Sequence, residues 1–271
     1  MPSCSCGSII VPTCSITRAL WRWGIGFIAN CTPDRFRRNS LTNLKLALHS
    51  LKILQQIRAE TGIEYDLRTV GVLKIYTSAE SFKAGLKAAE FMSGHGLTFE
   101  PADRAKCLEH EPALKATADS LVGGIYFARD EVGDCHKFTT ALAAHCAAQG
   151  VKFRYGTEIL GLESRSGRIG AVTTSAGTLF ADNFVAALAS YTPGFARCLE
   201  AAAAKQWAGV RPVTPSGTPI LDRSPIPNLY IAAGHGHLGW TMGCGSGHIT
   251  ADLVAGRTPK IDMGGFGLSE H

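Results

Sequence analysis

Leu41, Leu44, Leu48, Leu51 and Leu54 recur at three- and four-residue spacing, the period of a helix with one apolar face. The pattern predicts a helix over about Leu41–Glu60. Gly62 would end it, because a glycine just past a helix accepts the left-handed conformation that closes the last turn. Val70–Tyr76 follows as a strand, Ala79–Met92 as a helix with Phe82, Leu86 and Phe91 inward, and Ala102–Glu109 as a short helix. Leu121–Phe127 is another strand. Asp134 offers a side-chain oxygen to the free amides of a helix over Cys135–Gln149, and Gly150 stops it. Beyond Val151 the segments shorten into strands over Val151–Tyr155, Glu158–Ser164 and Arg168–Thr174. The tight polar pair Ser166-Gly167 makes a hairpin of the last two. Phe184–Leu188 is apolar without alternation, which suits a strand covered on both faces. An alanine-rich stretch, Gly194–Lys205, is compatible with a helix. The last third predicts a strand over Asn228–Ala233, a glycine-rich turn over Gly234–Gly247 and a helix to about Val254. Residues 1–20 have no clear period and form a tail, and no internal repeat is visible. The sum is an α/β protein with mixed α+β layers.

Composition narrows the class. With 271 residues, 45% hydrophobic and 18% charged, the chain can bury a sizeable core and is not a disordered sequence. Its net charge of +5 is spread out apart from Arg35, Arg37 and Arg38, so it lacks the basic stripe of a nucleic-acid binder. That cluster suits an acidic membrane surface or a solvated loop. Nine cysteines include no CxxC pair, which supports neither a zinc ribbon nor a dithiol motif; reduced thiols in the cytoplasm fit best. No run of about 20 apolar residues is present.

Chemistry concentrates near the C-terminus. The strand Asn228–Ala233 runs into six glycines within fourteen residues, Gly234–Gly247. Glycine at this density implies positive φ or close approach of a ligand. The helix that follows adds free amides and a positive dipole end. Together they suit an anionic or electron-rich ligand without any charged side chain. A connection serving only tight packing is the plain alternative. His235 and His237 lack further ligands nearby, so no metal is assigned. Upstream, Arg211 precedes Pro212, which restricts its backbone, and a planar guanidinium can hold a carboxylate by two parallel hydrogen bonds.

Arg211–Ile220 together with Asn228–Gly247 resembles the C-terminal signature of FAD-dependent D-amino acid dehydrogenases, within the amine-oxidising group that includes D-amino acid oxidases and glycine oxidases. The likeness extends over Trp21–Thr32, Ile57–Asp66, Gly133–Cys135 with Phe138–Thr140, and Val185–Pro193. It implies FAD, a D-amino acid substrate, a quinone or other electron acceptor, and release of a 2-oxo acid and ammonium, the flavin carrying the hard chemistry. By position, Arg211 would bind the substrate carboxylate. Gly234, His235, Gly236, His237, Leu238, Gly239, Trp240 and Thr241 would line the flavin, and Ile159 would lie near the adenine. No side chain is assigned a catalytic role. The implied organisation is a tail (1–20), a partial antiparallel substrate (cap) domain (21–130) and a partial doubly wound FAD-binding domain (131–260). The location would be cytoplasmic or peripheral at the inner face of the plasma membrane.

Three departures stand against this likeness. The family opens with a strand, a GxGxxG turn and a helix. Gly24-Ile25-Gly26-Phe27-Ile28-Ala29 has that spelling, but no β-run precedes it and Asn30-Cys31-Thr32-Pro33 follows. Only a short stretch separates Pro193 from Trp207, where relatives carry a long antiparallel segment. Ala189 and Ser216 stand where glycine and aspartate are usual. Four outcomes therefore stay open: a shortened dehydrogenase, a non-catalytic remnant that binds no flavin, a glycine- or sarcosine-oxidase-like enzyme, or one piece of a complex whose partner chain supplies the missing segments.

Overall fold

A computed structural model describes residues 18–188 and 212–270. The expected tail up to residue 17, Ala189, the alanine-rich stretch and Arg211 lie outside the described residues.

The chain enters through helix α1 (Arg18–Asn30), which contains the whole of Gly24–Ala29. Helix α2 (Pro33–Thr61) begins about two turns before the leucine periodicity does. Its first turns carry arginines and only one large apolar residue, Phe36, so periodicity misses them, but the start is written in its cap. Thr32 accepts from the Arg35 amide and Pro33 occupies the first turn, where a missing N–H costs nothing. Gly62 closes the helix at φ 66°, as expected from its position.

Three small sheets follow. Strands β1 (Val72–Tyr76), β2 (Glu100–Ala102) and β3 (Gly123–Phe127) form an antiparallel sheet in the order β1-β3-β2. Helices α3 (Ala79–Ser93) and α4 (Arg104–His110) pack on it. Helix α5 (Cys135–Ala148) starts at Asp134, whose side chain accepts from the Lys137 amide. A meander of β4 (Ile159–Arg165), β5 (Arg168–Thr174) and β6 (Gly177–Leu179) makes the second sheet. Its first hairpin turns through Ser166 and Gly167 at φ 51° and 73°, the left-handed pair that such a turn requires. The third sheet has the order β7-β9-β8, with β7 (Phe184–Ala186) parallel to β9 (Leu229–Ala233) and β8 (Ile220–Arg223) antiparallel to it.

The structure corrects three expectations. Val151–Tyr155 is not a strand; it pairs with none of the three sheets, and Val151, Phe153 and Tyr155 stay 51%, 42% and 79% exposed. Strand β7 is not covered on both faces, since Val185 is 46% exposed. The glycine-rich turn is short, because helix α6 (Gly239–Val254) already begins at Gly239. Glycine disfavours helix by about 1 kcal/mol per residue, and packing overrides it here. Helix α6 lies along α2, and a Cβ on Gly245 would come within 2.9 Å of the Ser50 Cα. Only glycine permits that approach. Leu46 of α2 meets Met242 and Ile249 of α6, with Leu221 and Phe266, in the main core. A second core joins Ile63, Tyr65 and Phe138.

Candidate active site

The site grows from the end of β9. Gly234 follows the strand at φ 84°, and a Cβ there would press to 2.7 Å from Thr214 Cγ2. Gly236 is also left-handed, at φ 56°. Between them His235 turns inward, its Nε2 2.8 Å from the hydroxyl of buried Ser246 on α6. A single 3₁₀ turn over Gly236–Leu238 then delivers the chain to α6.

The N-terminus of α6 differs from those of α2, α3, α4 and α5. Thr32, Ser78, Asp103 and Asp134 each cap their helix with a side-chain oxygen, whereas Leu238 provides no such bond to α6. First-turn amides without a capping side chain are free to donate to a ligand oxygen. The side chains of Leu238 and Trp240 point away from that end. Leu238 packs on the main core, and Trp240 sits 6.1 Å from the Tyr65 ring and 5.4 Å from Phe138. His237, Gly239 and Thr241 are exposed. A ligand at this turn would therefore meet backbone and small groups.

Around the turn the fold builds a hydrogen-bonded frame. The Gly236 amide donates to Pro212 O at 2.8 Å, and Val213 forms a bridge with His235. Trp23 of α1 donates its indole N–H to Val213 O at 2.8 Å. From α2, Asn39 donates to Ser216 O and Asn43 to Gly217 O. Thr214 donates to Thr218 O at 2.6 Å, and Thr218 donates to Gly265 O. Thus the two residues after Arg211 are tied to the glycine turn and α1, and Ser216 and Gly217 to α2. A cavity of about 840 Å³ opens on the α2 side, lined by Arg35, Arg38, Lys45, Thr218 and Gly265 among others. None of Gly234–Thr241 lines it.

Burial lowers the pKa of His235, and burial, with Cys135 nearby, pushes the Cys244 thiol up to about 11. Both are neutral near pH 7, so neither adds to the attraction of the helix end for negative charge. Ile159 stands elsewhere, at the start of β4, in a different sheet and 43% exposed. Among the described residues no group of three or more His, Cys, Asp or Glu side chains could hold a metal ion, and no helix is long and apolar enough to cross a membrane. Sequence reasoning missed Trp23, Asn39, Asn43 and Ser246. Ser246, inside the glycine run, was the one with a local signal.

The FAD dependent oxidoreductase (DAO) family matches residues 19–201 and 180–253. D-amino acid dehydrogenase from Paramagnetospirillum magneticum is 36% identical over 330 residues, covering 92% of this chain and 78% of the relative. The Phenylobacterium zucineum D-amino acid dehydrogenase is 33% identical over 330 residues, at 92% and 77% coverage. These alignments are longer than the chain, so the relatives carry residues with no counterpart here. In fold, the chain is similar to glycine oxidase from Geobacillus kaustophilus (TM-score 0.70, 21% identity, 83% of this chain and 82% of that one). It is likewise similar to L-amino acid deaminase from Proteus vulgaris (TM-score 0.72, 14% identity, 89% and 86%).

Proposed function

As the chain belongs to the DAO family of FAD dependent oxidoreductases, we propose that it oxidises the CH–NH₂ group of D-amino acids to 2-oxo acids and ammonium. The observation that carries this is the pairing of a left-handed glycine turn with an α6 N-terminus that no side chain caps. These residues fit the electron-rich ring end of FAD: Gly236, Gly239 and Thr241 offer close backbone approach, and the helix dipole favours negative charge. When bound there, FAD would supply the hydride acceptor. Arg211, just before the tied Pro212 and Val213, would hold the substrate carboxylate. Ile159 would serve the adenine end. Water would convert the imino product to the 2-oxo acid and ammonium, and a quinone or another acceptor would take the electrons. Residues 21–130 would form the substrate side and 131–260 the cofactor side, with a partner chain able to supply what the relatives carry in addition.

The test is an FAD titration followed by flavin fluorescence, then dye reduction driven by D-alanine. Saturable quenching and D-specific reduction are expected. A colourless protein that leaves FAD fluorescence unchanged would instead mark a non-catalytic remnant. One observation favours that second reading. Gly24–Ala29 is helix interior, and the described residues contain no strand–GxGxxG–helix unit for the pyrophosphate. Reduction by glycine or sarcosine in preference to D-alanine would point to the oxidase-like alternative.

A further inference from the structure

We propose that His49 of α2 and His248 of α6 form a site for a divalent transition-metal cation, Zn²⁺ above all, that clamps the two helices together. Among the described residues three buried side-chain nitrogens or oxygens lack a hydrogen-bond partner, and two of them, His49 Nε2 and His248 Nδ1, belong to rings that touch. Buried polar atoms are nearly always paired, so one left over marks a place for an ion or a water. The ring centroids lie 5.3 Å apart, with the planes inclined at 62°. Two imidazoles that share one tetrahedral metal, each nitrogen about 2.0–2.1 Å from it, also hold their centroids about 5 Å apart. The backbones beneath them are fixed. Next to His49, Ser50 Oγ accepts from the Gly245 amide at 3.1 Å, and a Cβ on Gly245 would press on the Ser50 Cα at 2.9 Å.

Charge selects a cation over water here. Buried Asp252, one turn beyond His248 on α6, brings a carboxylate oxygen to 3.7 Å from His248 Nδ1. That is too long for a hydrogen bond but close enough to attract a metal held by that nitrogen. The other Asp252 oxygen accepts from Arg257 Nε at 2.8 Å. Lys52 and Lys260 stand near His49 and oppose the cation, which limits the affinity. Cys244, one turn before His248, packs instead into the second core with Trp240. The protein therefore offers two imidazoles, and water completes the shell, in keeping with the lack of any three-ligand cluster among the described residues. Such a site loads and empties with metal supply, unlike a closed structural zinc. Imidazole suits zinc, copper and nickel, whereas magnesium and calcium need oxygen ligands.

Zn²⁺ alone is the probe, and the readout does not depend on flavin binding. It should bind the full chain saturably in isothermal titration calorimetry and raise its Tm, because a ligand held only by the folded state is stabilising. Mg²⁺ should do neither. His49→Gln and His248→Gln should each weaken Zn²⁺ binding at least about tenfold and remove the rise in Tm, with the metal-free circular dichroism unchanged. If His49→Gln does not fold, His248→Gln decides alone, on a side chain already 31% exposed. A Tm that Zn²⁺ leaves unchanged or lowers would overturn the proposal. An equal rise in the wild type and in the variants would overturn it too, by assigning the metal to other ligands, the cysteines first among them.

Discussion

Gly234 and Gly239 answer a methyl group in opposite ways. At Gly234 the backbone is left-handed (φ 84°) and a methyl meets Thr214 Cγ2 at 2.7 Å. Gly234→Ala is therefore expected to lose roughly 2–4 kcal/mol in urea unfolding, from the conformational penalty plus crowding. Gly239 has helical angles and open space around its Cβ. Gly239→Ala should gain up to about 1 kcal/mol of stability while weakening FAD binding, a split that packing alone would not produce. For Arg211→Ala, steady-state kinetics should show a raised KM and a kcat/KM loss worth about 2–5 kcal/mol, because the carboxylate is left unpaired. Arg211→Lys should recover only part, and an unchanged kcat/KM in Arg211→Ala would remove the carboxylate role. Burial holds His235 below its ordinary pKa, so the unfolded chain takes up the proton first. Its contribution is full above pH about 6.5 and is lost as pH falls from there through the lowered folded-state value. The slope reaches about 1.4 kcal/mol per pH unit. His49 is lowered too, first by burial and then by His248, so the check is a comparison. Stability should fall less steeply with acid in His235→Ala than in the wild type.

At the scale of elements, what was legible in the sequence is what is local. Asp134 and Gly62 act within one turn of themselves: the Asp134 side chain starts one helix, and the left-handed backbone of Gly62 closes another. The turn at Ser166-Gly167 is equally local. The glycines from Gly239 to Gly247 read as a loop because their helical state depends on a neighbour almost two hundred residues away. Gly245 donates its amide to Ser50 Oγ, and its Cα hydrogens face the α2 backbone. Gly245→Ala should push α2 and α6 apart and cost about 1–3 kcal/mol, visible as a lowered Tm. Val151–Tyr155 failed for the reverse reason. Its residues favour a strand, yet a strand is stabilised by its cross-strand neighbours, and this segment pairs with none of the three sheets.

Across the whole molecule, the glycine turn was legible as a site, while its frame was not. Trp23, Asn39 and Asn43 reach residues 213–217 from the other end of the chain, and no spacing rule connects them. The pyrophosphate end offers a test at this scale. Joining a strand–GxGxxG–helix unit ahead of Trp21 should raise FAD affinity in a fluorescence titration. Equal affinity before and after would mean that residues already present seat the nucleotide. The pairing of α2 with α6 also has a bearing on synthesis. Gly245 and Ser50 lie 195 residues apart, and a ribosome adds roughly 5–20 residues per second. The leucine face of α2 thus waits on the order of ten to forty seconds for its partner, exposed to every other nascent chain, and the yield of this protein in a cell should depend on whatever chaperone covers α2 during that interval.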